Sequence, residues 1–215
     1  MLAIIAAIII GYLIGSIPFA YITARLKKGM DIREIGSGNA GALSVWREVG
    51  PGYGLLVLLG DAGKGVLAIY VARWLGLDIA WVCVAGFAAV VGHNWPVFLK
   101  LKGGKGASTI MGVLLAFMPL QFIIGLGIAI VIVIPTSNIR LGMIGLACIP
   151  LIAWFFDKPL IYIYFPLGLI LFLAAYTLIS LKGEMARAKD KTSLVVDKKY
   201  TFWQTKKSGQ ETKVR

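Results

Sequence analysis

The chain has 215 residues, 59% of them hydrophobic and 15% charged, and its mean hydropathy is +0.84. That composition excludes an ordinary soluble domain and specifies an all-α polytopic membrane protein. The net charge of +12 excludes little by itself, but the basic residues border apolar runs and crowd the C-terminal tail. That distribution points to membrane topology and a lipid bilayer as partner, with no nucleic acid. Cys83 and Cys148 lie inside apolar runs and read as buried thiols. A single histidine with no cluster of cysteines gives no metal site.

The first apolar span covers 2–24 and is expected to be retained, because neither a basic leader nor a small-residue cleavage site accompanies it. Gly15-Ser16-Ile17-Pro18 predicts a kink at membrane depth that neighbouring helices must compensate. Arg25, Lys27 and Lys28 then mark the cytoplasmic side and place the N-terminus outside.

The first loop contains Gly36-Ser37-Gly38-Asn39-Ala40-Gly41, too rich in glycine for a stable helix interior. It offers N–H groups, a hydroxyl and an amide, the ingredients of an anion nest leading into a helix. Arg47 beyond it has the fork geometry that holds a phosphate at two points. An ordinary polar connection has the same composition. The second span, 53–74, carries Asp61 and Lys64, whose spacing puts opposite charges on one side of a helix. Ionisable groups inside a span are costly and face a bundle interior or polar cavity, here as a substrate contact or as a packing pair.

A short outer turn with Arg73 and Asp78 leads to the third span, 79–99. This span ends in Gly92-His93-Asn94-Trp95-Pro96, near the cytoplasmic interface. Lys100, Lys102 and Lys105 follow at the point where the apolar run stops, with Gly103, Gly104 and Gly106 among them. Glycines free the backbone for positive φ, so that N–H groups can converge on an anion while the ammonium groups add charge. A positive-inside anchor with a glycine turn has the same composition.

Segment 107–134 is interrupted by Pro119 and reads as a tight pair of short or tilted spans. A small polar loop with Asn138 and Arg140 follows, then a span at 141–156, an outer turn at 157–159 and a last span at 160–181. About seven transmembrane helices result, with the N-terminus outside and the C-terminus cytoplasmic. Two regions are expected: a membrane-embedded bundle at 1–181 and a basic cytoplasmic tail at 182–215. This count leaves only Arg73 and Lys158 as basic residues on the outer turns, in agreement with the positive-inside rule. The loops around Gly36, Gly103 and Asn138 then share one face with Asp61 and Lys64. Phosphate-cradling loops beside apolar walls suit a substrate with a phosphate head and an acyl chain. They equally suit a lipid-phosphate binder without chemistry, or an anion transporter.

Four motifs in this order narrow the choice: Gly15-Ser16-Ile17-Pro18, Gly36-Ser37-Gly38-Asn39-Ala40-Gly41-Ala42, Asp61-Ala62-Gly63-Lys64-Gly65, and Gly92-His93-Asn94-Trp95-Pro96-Val97-Phe98 with Lys102-Gly103-Gly104-Lys105-Gly106. Together they resemble the PlsY family of bacterial membrane acyltransferases, strongly over the first half of the chain and by span pattern over the second. The resemblance implies a seven-helix enzyme of the bacterial cytoplasmic membrane. Such an enzyme moves an acyl group from acyl phosphate to the 1-hydroxyl of glycerol 3-phosphate, forming lysophosphatidic acid for phospholipid synthesis. The chain departs from the family pattern at Leu43-Ser44, at Ile139-Arg140, and at Leu181 and Glu184, where the family carries a histidine and an asparagine.

The donor is a mixed anhydride, already activated, so the implied chemistry needs no cofactor, metal or covalent enzyme intermediate. It needs the acceptor hydroxyl oriented and the leaving phosphate neutralised. On this reading Lys105, with the Gly103 and Gly104 N–H groups, holds one phosphate. Ser37, Asn39 and Arg47 hold the other. Gly36, Gly38, Gly41, Asp61, Lys64, His93, Lys102 and Arg140 complete the expected substrate contacts. A substrate phosphate oxygen takes the hydroxyl proton.

Overall fold

The computed structural model describes residues 1–136, 138 and 141–187. Arg140 and most of the expected tail lie outside the described residues. Among those residues the chain forms ten α-helices and no strand. They are α1 (Leu2–Gly15), α2 (Phe19–Lys28), α3 (Ala42–Glu48), α4 (Pro51–Trp74), α5 (Ile79–Asn94), α6 (Ala107–Phe117), α7 (Pro119–Thr136), α8 (Met143–Ala147), α9 (Ile149–Phe155) and α10 (Ile161–Arg187).

Proline decides where the apolar runs break. The first run divides at Ser16-Ile17-Pro18, because Pro18 has no N–H to continue the ladder. Met118 leaves the helical region (φ −145°, ψ 69°) ahead of Pro119, so 107–134 becomes α6 and α7, the pair expected from sequence. The run at 141–156 was expected as one helix. It divides at Cys148 into α8 and α9, since Pro150 cannot donate to the Leu146 carbonyl one turn back.

Five segments are long and apolar enough to cross a bilayer: Leu2–Lys28, Pro51–Trp74, Ile79–Leu99, Pro119–Thr136 and Ile161–Leu181. The other two apolar segments are shorter. At 11 residues α6 reaches about 16 Å, roughly half the hydrocarbon thickness.

Apolar side chains alone give no net drive for helix association in lipid, and close packing has to supply it. Here glycine does so. Gly11 and Gly15 of α1 lie on the backbone of Ala85 and Ala89 in α5. Between α4 and α6, a Cβ on Gly65 would stand 2.3 Å from the Thr109 carbonyl oxygen, and one on Gly112 only 1.8 Å from that of Ala62. Gly125 and Gly145 bring α7 and α8 together in the same way. Around these contacts a large apolar core collects Ile69, Val90, Ile110, Leu114, Ile149 and Leu169. A second, smaller core of Ala20, Ala24, Ile32, Ala40, Val45 and Val57 sits under the first loop. Ile32 and Ala40 peg that loop down, so it is a folded element and not a free connection.

Gly112→Ala is expected to lower the thermal midpoint in detergent, since overpacking against rigid backbone costs at least about 1–3 kcal/mol. Gly63→Ala on the open side of α4, where an added methyl meets nothing within 4 Å, should leave the midpoint unchanged or raise it.

Candidate functional site

The gap between α1 and α2 leaves backbone polar groups inside an apolar segment, where water is not available to satisfy them. Ser16 Oγ donates to the Tyr12 carbonyl at 2.8 Å. The Ile17 carbonyl accepts from Phe19 N–H at 3.2 Å and from Lys64 Nζ at 3.1 Å. Lys64 Nζ also stands 2.8 Å from Asp61 Oδ1, and both side chains are at most 3% exposed. His93 at the end of α5 places Nδ1 at 3.6 Å from the same carboxylate oxygen. The Asp61–Lys64 pair thus joins α4 to α5 and, through the Lys64 ammonium, to the break between α1 and α2.

The adjoining cavity, lined by these three residues with Ile17, Pro18, Gly103 and Gly104, measures only about 10 Å³. That is room for about one water. Asp61, Lys64 and His93, expected as substrate contacts, all line this small cavity. In this structure they support the loop above them.

That loop runs from Trp95 to Gly106 and folds back over the end of α5. Gly103 N–H donates to the Asn94 carbonyl at 3.1 Å and Gly104 N–H to the His93 carbonyl at 3.2 Å. The two N–H groups expected to cradle an anion are thus already used, satisfying carbonyls that a helix end leaves open. The glycines are required for a different reason. A Cβ on Gly103 would lie 2.0 Å from the His93 carbonyl oxygen, and one on Gly104 2.3 Å from His93 Nε2 and 2.7 Å from the Ala40 carbonyl oxygen. Lys100 and Leu101 are consecutive residues in the left-handed region (φ 54° and 60°), a conformation costly without glycine and often held at functional sites. Lys102 is exposed and lines neither cavity.

The first loop meets this one at Ala40 and Gly104. Gly36 and Gly38 take positive φ (56° and 72°), which turns the chain twice within four residues. Ser37 Oγ accepts from the Asn39 N–H at 3.4 Å and lies 3.4 Å from Ser44 Oγ, so one departure from the family pattern supplies a supporting hydroxyl. Arg33 ties the loop to its neighbour: its guanidinium donates to both oxygens of Asp31 and, at 3.0 Å, to the Leu99 carbonyl. This clamp was not foreseen from sequence. Gly36 is exposed beside Glu48, and Gly41 caps the start of α3. Arg47 is half-buried on α3 and, like both of those glycines, is not part of either cavity wall.

A second cavity of about 190 Å³ opens where the two loops meet α10. Ser37, Gly38 and Asn39 line one side, Gly103 and Lys105 another, and Tyr176, Ser180 and Gly183 the third. It holds far more than the roughly 10–15 Å³ that one water occupies. It brings together the hydroxyl and amide of the first loop with the ammonium of the second. The α10 wall was missed by the sequence reading, which compared Leu181 and Glu184 with the family. The lining positions follow a 4-then-3 spacing, and that helical stripe of polar and small residues is the signal that could have found them.

Among the described residues, helices interrupted at prolines, with two interlocked glycine loops and a lysine around one cavity, define a polytopic membrane protein with a polar cavity beside a membrane helix. A family model described as Glycerol-3-phosphate acyltransferase matches residues 5–191. The chain is 44% identical over 156 residues to Glycerol-3-phosphate acyltransferase 1 of Dehalococcoides mccartyi, covering 69% of this chain and 75% of that one. It is 39% identical over 185 residues to Glycerol-3-phosphate acyltransferase of Geobacter sulfurreducens, covering 85% and 92%. Its fold is similar to the crystal structure of PlsY, an integral membrane glycerol 3-phosphate acyltransferase, in the glycerol 3-phosphate form. The TM-score is 0.76, with 28% identity over 89% of this chain and 96% of that one. The chain belongs to the glycerol-3-phosphate acyltransferase family, as an integral membrane protein of the PlsY type.

Two predictions follow from the supports beneath the cavity. Asp61→Ala strands a buried ammonium and should cost about 3–5 kcal/mol in thermal unfolding, whereas Asp61→Ala with Lys64→Met should recover most of that loss. The guanidinium of Arg33 holds the Asp31 carboxyl below the usual carboxylate range. Its contribution is therefore present above that range and is lost as pH falls through the lowered value. Asp31→Asn should lower stability at neutral pH by about 1 kcal/mol, since the ion pair is half-buried and still reaches solvent. The difference from wild type should vanish in strong acid.

Proposed function

We propose that this protein transfers an acyl group from acyl phosphate to the 1-hydroxyl of glycerol 3-phosphate, releasing lysophosphatidic acid and inorganic phosphate at the start of phospholipid synthesis. The observation that carries the reading is the convergence of Ser37, Asn39 and Lys105 on one cavity of about 190 Å³ walled by a membrane helix. The basic residues Arg25, Lys27 and Lys28 end α2 immediately before the first loop. The positive-inside rule supports a reading in which the cavity faces the cytoplasm, the N-terminus lies outside and the membrane is the bacterial cytoplasmic one.

In the reaction, the acceptor oxygen attacks the acyl carbonyl carbon and the bond from that carbon to the phosphate oxygen breaks. The hydroxyl proton passes to a substrate phosphate oxygen. The protein's work is orientation and charge. Lys105 neutralises the phosphate that leaves, and a fixed ammonium in a partly water-excluded site does so without reorganising. Ser37 Oγ and the Asn39 side chain hold the acceptor's phosphate, while Arg47, off the cavity wall on the following helix, takes no direct part in holding it. Gly103 and Gly104 contribute by allowing the loop to press on His93, which fixes where Lys105 stands.

Purified protein in nanodiscs, given acyl phosphate and glycerol 3-phosphate, should form lysophosphatidic acid and phosphate in equal amounts. Lys105→Ala should lower kcat/KM by about 10²–10³ while leaving the thermal midpoint unchanged. Lys102→Ala, exposed and off the cavity, should change it little. Full activity in Lys105→Ala would sink the assignment. Anion flux in sealed vesicles without acyl transfer would show a transporter instead.

A further inference from the structure

Tyr176 belongs to two surfaces at once. It lines the larger cavity beside Ser37, Asn39 and Lys105. Its ring is also the inner end of an aromatic ladder shared by α5, α10 and the loop between α5 and α6. The Tyr176 ring meets Trp95 edge-on, with centroids 5.2 Å apart and planes at 87°, and stacks on Phe172 at 6.3 Å and 25°. Phe172 in turn meets Trp95 at 6.1 Å and Phe87 at 5.1 Å, both edge-on. Offset and edge-to-face contacts of this kind hold ring orientation as well as bury area. Trp95 is pinned further, since its carbonyl accepts the Tyr12 hydroxyl at 2.9 Å. The outer rungs, Trp95 and Phe87, are each 37% exposed on the apolar surface.

The ladder therefore runs without a break from a polar cavity to the apolar outside of the bundle. We infer that it is the seat of the donor's acyl chain, and that Tyr176 is the specificity-determining residue where head group gives way to chain. The inference rests on the acyl-transfer reading and adds to it which surface reads the chain. An acyl phosphate with its phosphate beside Lys105 must carry its chain out of the cavity. The one ring that lines both the cavity and the ladder, among the described residues, is that of Tyr176. The phenol ring gives the chain an apolar contact while its hydroxyl stays compatible with the polar side. A chain that comes from lipid leaves no water behind, so discrimination rests on close packing of its methylenes against the rings, and a long chain meets more rungs than a short one.

The test is steady-state kinetics in nanodiscs with a short-chain, water-soluble acyl phosphate and a long-chain one, each at varied glycerol 3-phosphate. Tyr176→Ala should lower kcat/KM for the long-chain donor by about tenfold or more. The short-chain value should fall much less, so that the ratio of long-chain to short-chain kcat/KM drops by about tenfold or more. Tyr176→Phe, which keeps the ring, should restore the long-chain value. Phe87→Ala, on the exposed rung away from the cavity, should show the same dependence on chain length with an unaltered thermal midpoint. Equal losses with both donors, or Tyr176→Phe as impaired as Tyr176→Ala, would overturn the inference while leaving acyl transfer standing. Wild-type protein that forms no product from either donor would instead remove the acyl-transfer reading itself.

Discussion

Pro18 carries no N–H, and the first span cannot close its hydrogen-bond ladder at Ser16 and Ile17, within an apolar segment where water cannot substitute. The Lys64 ammonium meets the exposed Ile17 carbonyl at 3.1 Å, and Asp61 meets the ammonium at 2.8 Å. A buried pair of this kind is a poor source of net stability, because the desolvation of both charges offsets most of their attraction. Its value here is that it is intolerant of alternatives. With Lys64 fixed to Ile17 and Asp61 beside His93, the broken span, α4 and α5 are held in one register. The glycine loop rests directly on His93.

Glycine then acts in two distinct ways. Between helices it removes the Cβ, so that α1 lies on α5 and α4 on α6 at backbone distance, which is how helices associate where burial alone gives no advantage. In the loops it allows close approach at Gly103 and Gly104 and left-handed turns at Gly36 and Gly38. At Gly103 and Gly104 the consequence is spatial and not electrostatic. Their N–H groups cap α5, and the positive charge at the cavity is left to Lys105. A glycine-rich loop beside lysines is easily read as a backbone cradle for phosphate. Here the backbone donors are spent on the fold and the side chain faces the cavity.

The two cavities separate two groups of polar residues. The small one holds the charges that keep the fold in register. The larger one holds a hydroxyl, an amide and an ammonium with open space before them. This separation lets a costly buried ion pair sit close to the site without competing with a substrate for its partners. It also explains why residues from one motif cluster carry different roles: His93 faces inward to Asp61, while Lys105, twelve positions on, faces the cavity.

Much of this was legible in the amino-acid order, because its causes are local. Apolar runs determine helices in lipid, prolines determine their breaks at Pro18 and Pro119, and the spacing of Asp61 and Lys64 determines that they pair. The order of the glycine motifs was enough to identify the family. Three things depended on tertiary structure. Which N–H groups are free depends on whether the loop folds back over α5, and nothing within 100–106 states that. Whether Asp61, Lys64 and His93 touch a substrate depends on the volume left beside them, which is set by helices distant in sequence. The α10 wall of the cavity lies more than seventy residues beyond Lys105, so local pattern could mark a helical stripe at Tyr176, Ser180 and Gly183 but not what it faces. Local rules act through neighbours in the chain, whereas a cavity is defined by surfaces that only packing brings together.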